Sequence, residues 1–171
     1  MTQHQAEIYL RKPLPGDADF LLQLENDPEI WEVSNTTEPF SRAEIEAFIK
    51  DNVHDLLLEL QQRFIIVLRL KEVPVGAVDL FNYDAKDDAA GVGISILPEY
   101  RRRGFAKAAL NQLITFAFKK LRLKKLYCAI FADNLPSIRL FTSCGFKSID
   151  RLPERFEVSE EKEELFFELE R

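Results

Sequence analysis

Cysteine is scarce in this chain of 171 residues, which holds only Cys128 and Cys144. Two thiols so far apart cannot build a metal cluster, and each stands among apolar neighbours, where buried free thiols are common. No metal is expected. Histidine is equally scarce: His4 falls in a terminus expected to fray and His54 on the surface of a predicted helix, so neither is expected to act as a base. No apolar run approaches the roughly eighteen residues of a membrane span, and no basic N-terminal segment precedes an apolar core. A cytoplasmic protein with no membrane partner is the expectation. Repeats and low-complexity tracts are lacking, and the charge run from Ser159 to Glu164 reads as a solvated turn. An excess of positive charge is also missing, since 23 Lys and Arg face 29 Asp and Glu for a formal charge of −6. That balance excludes general nucleic-acid binding and favours a cationic partner.

The length suits one domain, able to bury about two thirds of its unfolded surface. Its organising stretch runs from Ile94 to Lys107, ISILPEYRRRGFAK. An apolar run ends at Pro98, three arginines and Gly104 follow, and an amphipathic helix opens near Phe105. The first turn of a helix has N–H groups without internal partners and carries about half a positive charge, so it receives phosphate well. Gly104 permits close approach to the main chain, and small Ala106 keeps the first turn uncrowded. The loop lacks the Lys-Ser or Lys-Thr of a Walker loop and the three glycines of a dinucleotide fold.

Along the chain, Glu7–Lys12 alternates as a strand and ends at Pro13 and Pro15. Asp17 is placed to cap a helix carrying Phe20, Leu21, Leu22 and Leu24, stopped by Asn26-Asp27-Pro28. The piece from Glu29 to Phe40, with Trp31, Ser34, Asn35 and Pro39, reads as irregular. Ser41-Arg42-Ala43-Glu44 is a capping box opening a helix with Ile45, Phe48 and Ile49 on one face, which runs to about Leu60 with a break near Val53. Strands are predicted over 63–70, 75–83 and 89–97, joined by a hairpin at 71–74 and a polar loop at 82–88. The helix from about Gly104 to Leu121 repeats Ala106, Leu110, Leu113, Ala117 and Leu121. A buried strand at 125–131, a helix at 134–144 closed by Gly145, and strands at 146–150 and 164–170 complete the chain.

The pattern Arg101-x-x-Gly104-x-Ala106 after a strand and proline resembles the acyl-CoA pyrophosphate loop of the GCN5-related N-acetyltransferase (GNAT) family. About thirty residues on, Asn134-Leu135-Pro136-Ser137 and the helix ending Gly145-Phe146 resemble the second CoA-side signature of that family. Motif-level similarity covers 91–149. The element order is similar to the branch that includes spermidine and ribosomal-protein N-terminal acetyltransferases. The resemblance implies a single-domain α/β GNAT fold over 1–171: a mixed, mostly antiparallel sheet with helices on both faces, open where the two central strands diverge. It also implies acetyl-CoA as co-substrate. Backbone amides of Arg102, Arg103, Gly104, Phe105 and Ala106 would hold the pyrophosphate, with Arg101 and Lys107 adding charge. Ile94 and Ile96 would present main chain to the pantetheine arm, an amide near Ile96 would face the thioester oxygen, and Asn134 and Ser137 would touch the CoA side. Acceptor identity would lie in the first two helices, and a homodimer is the candidate assembly.

A lysine-like amine has a pKa near 10.4, so freeing it of its proton at pH 7 costs about 4–5 kcal/mol, and a base helps. Asp79 is the first candidate because it interrupts the apolar run 78–81 beside the cofactor strand; Glu25, Glu29 and Asp84 are less supported. Many family members carry a tyrosine before Gly-Phe that protonates the departing thiolate. The matching position on the CoA side is Phe141, which has no hydroxyl. Proton donation to a thiolate of pKa about 8.5 is worth only about 2 kcal/mol at pH 7. Ser143, Tyr127 or water could take that part. The leading reading is direct acetyl transfer to the primary amine of a small, polycationic or peptidic molecule; the other is a non-catalytic acyl-CoA-binding or sensing module.

Overall fold

A computed structural model describes residues 7–31, 38–159 and 162–171; Ser34, Asn35 and His4 lie outside these. Strands β1 (Ile8–Arg11), β2 (Gln62–Leu68), β3 (Val73–Asp84), β4 (Ala89–Ile96), β5 (Lys125–Phe131), β6 (Lys147–Ile149) and β7 (Glu164–Glu170) join one sheet. Their order is β1-β2-β3-β4-β5-β7-β6. The first four form an antiparallel meander, β5 pairs antiparallel with β7, and β7 with β6. Among the described residues only β4 and β5 run parallel, which a crossover helix must connect.

That helix is α5 (Phe105–Lys119), which buries Phe105, Ala108, Ala109, Leu110, Leu113 and Ala117. The buried stripe is therefore broader than the predicted one, and Ala106 and Leu121 lie at its margin. Side chains of a strand alternate between faces; Val78, Leu80 and Val92 join α5 in one core cluster. The opposite face carries α1 (Ala18–Glu25) and α3 (Arg42–Asp51), whose Leu21, Leu24, Ile45 and Ile49 cover Ile65, Val67 and Ala77. Helix α6 (Leu135–Ser143) buries Phe141 in the α5-side core.

The structure corrects the sequence reading in several places. Pro28–Trp31 forms a helical turn, α2, where irregular chain is expected; proline suits a first helical position because its missing N–H has no partner there anyway. Asp17 precedes α1, but its carboxylate turns back to accept from Leu14 N (2.7 Å) and from Arg11 (2.6 and 2.8 Å). The Ser41–Glu44 capping box forms, and the backbone and hydroxyl of Ser41 hold the Glu44 carboxyl below its usual pKa. The helix breaks after Asp51 and resumes as α4 (Leu56–Glu59). Pro74 lies inside β3 at a register shift opposite Val67, a bulge being where a sheet tolerates a missing donor. No described helix is long and apolar enough to cross a membrane.

Candidate active site

Pairing between β4 and β5 stops after Ala89–Gly91 against Lys125–Tyr127. Beyond that point β4 stays with β3 as far as Ile96, and β5 stays with β7 as far as Phe131. The two strands splay, and main-chain groups of β4 face a gap. Which ones follows from register. Ile96 stands opposite Gly76, and Leu97 N donates to Val75 O at 2.9 Å. Backbone groups alternate sides along a strand, so Gly93, Ser95 and Leu97 address β3 while Ile94 and Ile96 address the splay. Arg101 Nε donates to Ile96 O at 2.9 Å, which leaves the N–H of Ile96 as its polar group toward the gap.

The end of the splay meets the arginine loop. Arg102 (φ 60°) and Gly104 (φ 79°) both take left-handed conformations. Glycine adopts this freely, whereas for a residue such as Arg102 it costs about 1–2 kcal/mol, local strain of the kind that clusters at ligand clamps. The first internal bond of α5 runs from Ala108 N to Gly104 O (3.1 Å). The N–H groups of Phe105, Ala106 and Lys107 therefore have no acceptor within the helix, and they form an anion-receiving terminus. Arg103 lies over the Tyr100 ring at 5.7 Å. Arg101 is turned inward: besides the Ile96 carbonyl it pairs with Glu29 and, at 3.6 Å, with Asp27.

Asn134 Oδ1 accepts from Ser137 N at 3.2 Å and so caps α6. Phe141, 4% exposed, meets Phe146 edge-to-face at 5.0 Å. Of the hydroxyls weighed as proton donors, Ser143 Oγ donates to Leu140 O at 2.8 Å. Tyr127 is buried against Phe156, and burial raises its pKa. Burial also pushes up the thiols of Cys128 and Cys144, which suits packing rather than nucleophilic work.

On the face opposite α5 the splay opens into a cavity of about 500 Å³, lined by Phe81, Gly93, Cys128, Ala129 and Phe131 from the strands and by Leu152, Arg155 and Phe156 from the segment joining β6 to β7. A Cβ on Gly93 would meet only the Phe81 ring, at 3.6 Å, so the strand wall is open there. Sequence reasoning assigned nothing to residues 151–158. The available cues are Leu152 and Phe156, apolar residues spaced among the charges of the connection, both buried.

Asp79 stands opposite Gly93 on the neighbouring strand. Both its oxygens accept from Arg63, at 2.7 and 3.0 Å, and the same guanidinium donates to Glu25 at 2.5 Å. Burial pulls the Arg63 pKa down, but the Asp79 and Glu25 carboxylates outweigh it and hold the group above its ordinary value. Two of the four acidic candidates thus share one cation; Glu29 pairs with Arg101, and Asp84 lies 3.5 Å from Arg155. Trp31 Nε1 donates to Glu25 O at 2.6 Å, which braces this corner.

His54 departs from its expected surface position. It sits in the break between α3 and α4 with φ 50° and 5% exposure, because the break folds it onto Phe48, ring centroids 5.0 Å apart. It lines a smaller cavity of about 180 Å³ with Arg63, Asp79 and Phe81. Burial lowers its pKa. The unfolded chain therefore binds this proton first, so stability falls as pH drops through about 6.5. In His54→Gln the loss of melting temperature between pH 7.5 and 5.5 should be smaller than in the parent; an equal loss would show that the ring does not contribute.

A sheet split between two parallel strands, with an anion-receiving helix terminus at its end, is the arrangement that the resemblance to the acyl-CoA-dependent N-acetyltransferases implies. The comparisons agree. Residues 7–147 match the acetyltransferase (GNAT) domain model, and the chain belongs to that family. It is 30% identical over 147 residues to the uncharacterized N-acetyltransferase p20 of Bacillus licheniformis, covering 85% of this chain and 82% of that one. It is 28% identical to spermidine N(1)-acetyltransferase of Vibrio cholerae, over 90% and 87% of the two chains. A crystal structure of the Vibrio cholerae spermidine N-acetyltransferase in complex with CoA and spermine superposes with TM-score 0.82 at 25% identity, covering 96% of each chain.

Proposed function

We propose that this protein moves the acetyl group of acetyl-CoA directly to the primary amine of a small, cationic or peptidic molecule in the cytoplasm. The observation that carries the reading is the splay of β4 from β5 ending at the α5 N-terminus. The GNAT family match and the spermidine acetyltransferase relatives support it. Acetyl-CoA supplies the thioester whose acyl carbon the amine attacks. The amides of Arg102 to Ala106, with Lys107, fit the pyrophosphate; the main chain of Ile94 and Ile96 fits the pantetheine arm; and the N–H of Ile96 fits the thioester oxygen, where negative charge develops. Asn134, already capping α6, and Ser137 fit the CoA side.

Asp79 is the proposed base, one strand from the cavity wall with no side chain at Gly93 between them, and it acts through water because both oxygens rest on Arg63. Asp79→Asn should lower turnover by about a hundredfold or more while CoA affinity by calorimetry stays the same. Undiminished turnover would assign the proton to another group. The overall test is release of free thiol from acetyl-CoA against polyamines, amino-acid amides and basic peptides, beside calorimetric CoA binding. Release with one amine class establishes the transfer. CoA binding without release from any amine would count against it and favour a binding module.

A further inference from the structure

The cavity beside the splay contains one cationic side chain among its lining residues, Arg155. Its surroundings leave it short of oxygen partners. Nε donates to Asn82 O at 3.1 Å. Nη1 has Asp84 and Asp87 at 3.5 and 3.7 Å, longer than the roughly 2.7–2.9 Å of a charge-assisted hydrogen bond. Nη2 is shut off from water with no hydrogen-bond partner. A guanidinium has five N–H donors, and buried donors left unmade are costly. The group is held in place by aromatic faces instead, with its carbon 4.8 Å from the Phe156 ring centre and 5.8 Å from that of Tyr127. Glu157 and Glu164 line the same cavity, and the Glu164 carboxylate also accepts from Ser159 N at 2.8 Å. The cavity thus offers carboxylates to an ammonium and a guanidinium to an oxygen.

Resting on the transfer reading above, we propose that Arg155 is a specificity residue that reads an oxygen of the acceptor. The preferred acceptor is then an amine whose molecule carries a carboxylate or amide carbonyl, an amino acid or a peptide, in preference to a simple polyamine. A polyamine has no oxygen for the guanidinium and brings a second cation beside it. An amino-acid-like molecule satisfies both signs, its amine drawn to the carboxylate side while its oxygen takes the N–H groups of Nη1, which the long approaches to Asp84 and Asp87 leave short of a full hydrogen bond.

The test is thiol release by the whole enzyme with lysine, lysinamide and a Lys-Gly dipeptide against spermidine and cadaverine, which lack oxygen. The parent should favour the oxygen-bearing group in kcat/KM by about tenfold or more. Arg155→Gln should raise KM for those acceptors roughly 10–100-fold, the range of a hydrogen bond to a charged group, with kcat and the KM for acetyl-CoA held. It should leave spermidine turnover equal or better. Arg155→Lys, which keeps the charge, should recover part of the preference. Equal loss on both acceptor groups with a lowered melting temperature would overturn the proposal and make Arg155 a clamp between residues 82–87 and the C-terminal segment. A parent that favours spermidine, with a ratio indifferent to Arg155→Gln, would also overturn it while leaving the transfer intact. Release from no amine at all would overturn the transfer and this inference together.

Discussion

Gly104→Asp should abolish useful CoA binding, lowering affinity by at least about a hundredfold, or some 2.7 kcal/mol, while the protein stays folded. Position 104 has φ 79° and immediately precedes α5. Aspartate tolerates the left-handed region better than most residues, at about 1 kcal/mol, and an acidic side chain at a helix start is favourable to the helix. The fold should therefore survive. Ligand binding should not, because the new carboxylate would compete for the N–H groups of Ala106 and Lys107, part of the terminus proposed to receive the pyrophosphate, and repel the phosphates as well. At about 4 Å and an effective dielectric near 20, one like-charge pair alone is worth roughly 4 kcal/mol. Gly104→Ala separates the causes: with no charge added it should lose far less. Calorimetry with CoA reads the affinity, and a melting curve reads the fold. Unchanged CoA affinity in a folded Gly104→Asp protein would remove the arginine loop from the binding site.

Arg63→Met should be among the most destabilising single changes to the described residues. It removes the cation between Asp79 and Glu25, whose side chains are 25% and 20% exposed, and leaves two half-buried carboxylates facing one another. Breaking one partner out of a buried ion pair costs about 3–5 kcal/mol; at roughly 2–4 °C per kcal/mol for a chain this long, the melting temperature should fall by about 6–20 °C. The triple change Arg63→Met, Asp79→Asn, Glu25→Gln should recover much of the loss, since the penalty lies in the stranded charges. A deficit not relieved by the triple change would mean that Arg63 acts through packing on Phe48, whose ring centre lies 5.3 Å from its guanidinium carbon.

How far the sequence alone reached can be judged from particular residues. Local chemistry placed β5 and β7 at their observed bounds and α5 within a few residues, because period, caps and glycine punctuation are written in neighbouring positions. It also marked the start of α5 at Phe105, since a helix start after a glycine-bearing turn is a local object. What neighbours in sequence cannot encode is partner choice across the sheet. Asp79 was visible as a charge interrupting an apolar run, but its pairing with Arg63 spans 16 residues of chain, and that of Arg63 with Glu25 spans 38. The inward turn of Arg101 onto Glu29 crosses 72 residues, and His54 is buried only because a helix break folds it onto Phe48.

The sequence by itself therefore determined the class of fold, the order of its elements and the glycine turn that opens α5, signals written within a turn or two of the chain. Only the tertiary structure decided where β4 parts from β5, which carboxylates are neutralised by which arginines, and that the segment bearing Arg155 and Phe156 lines the cavity beside the splay. The physical reason is distance along the chain: Arg63 meets Asp79 and Glu25 across 16 and 38 residues, Arg101 meets Glu29 across 72, and residues 151–158 are carried to the sheet because β7 beyond them pairs with β5, none of which a local pattern records.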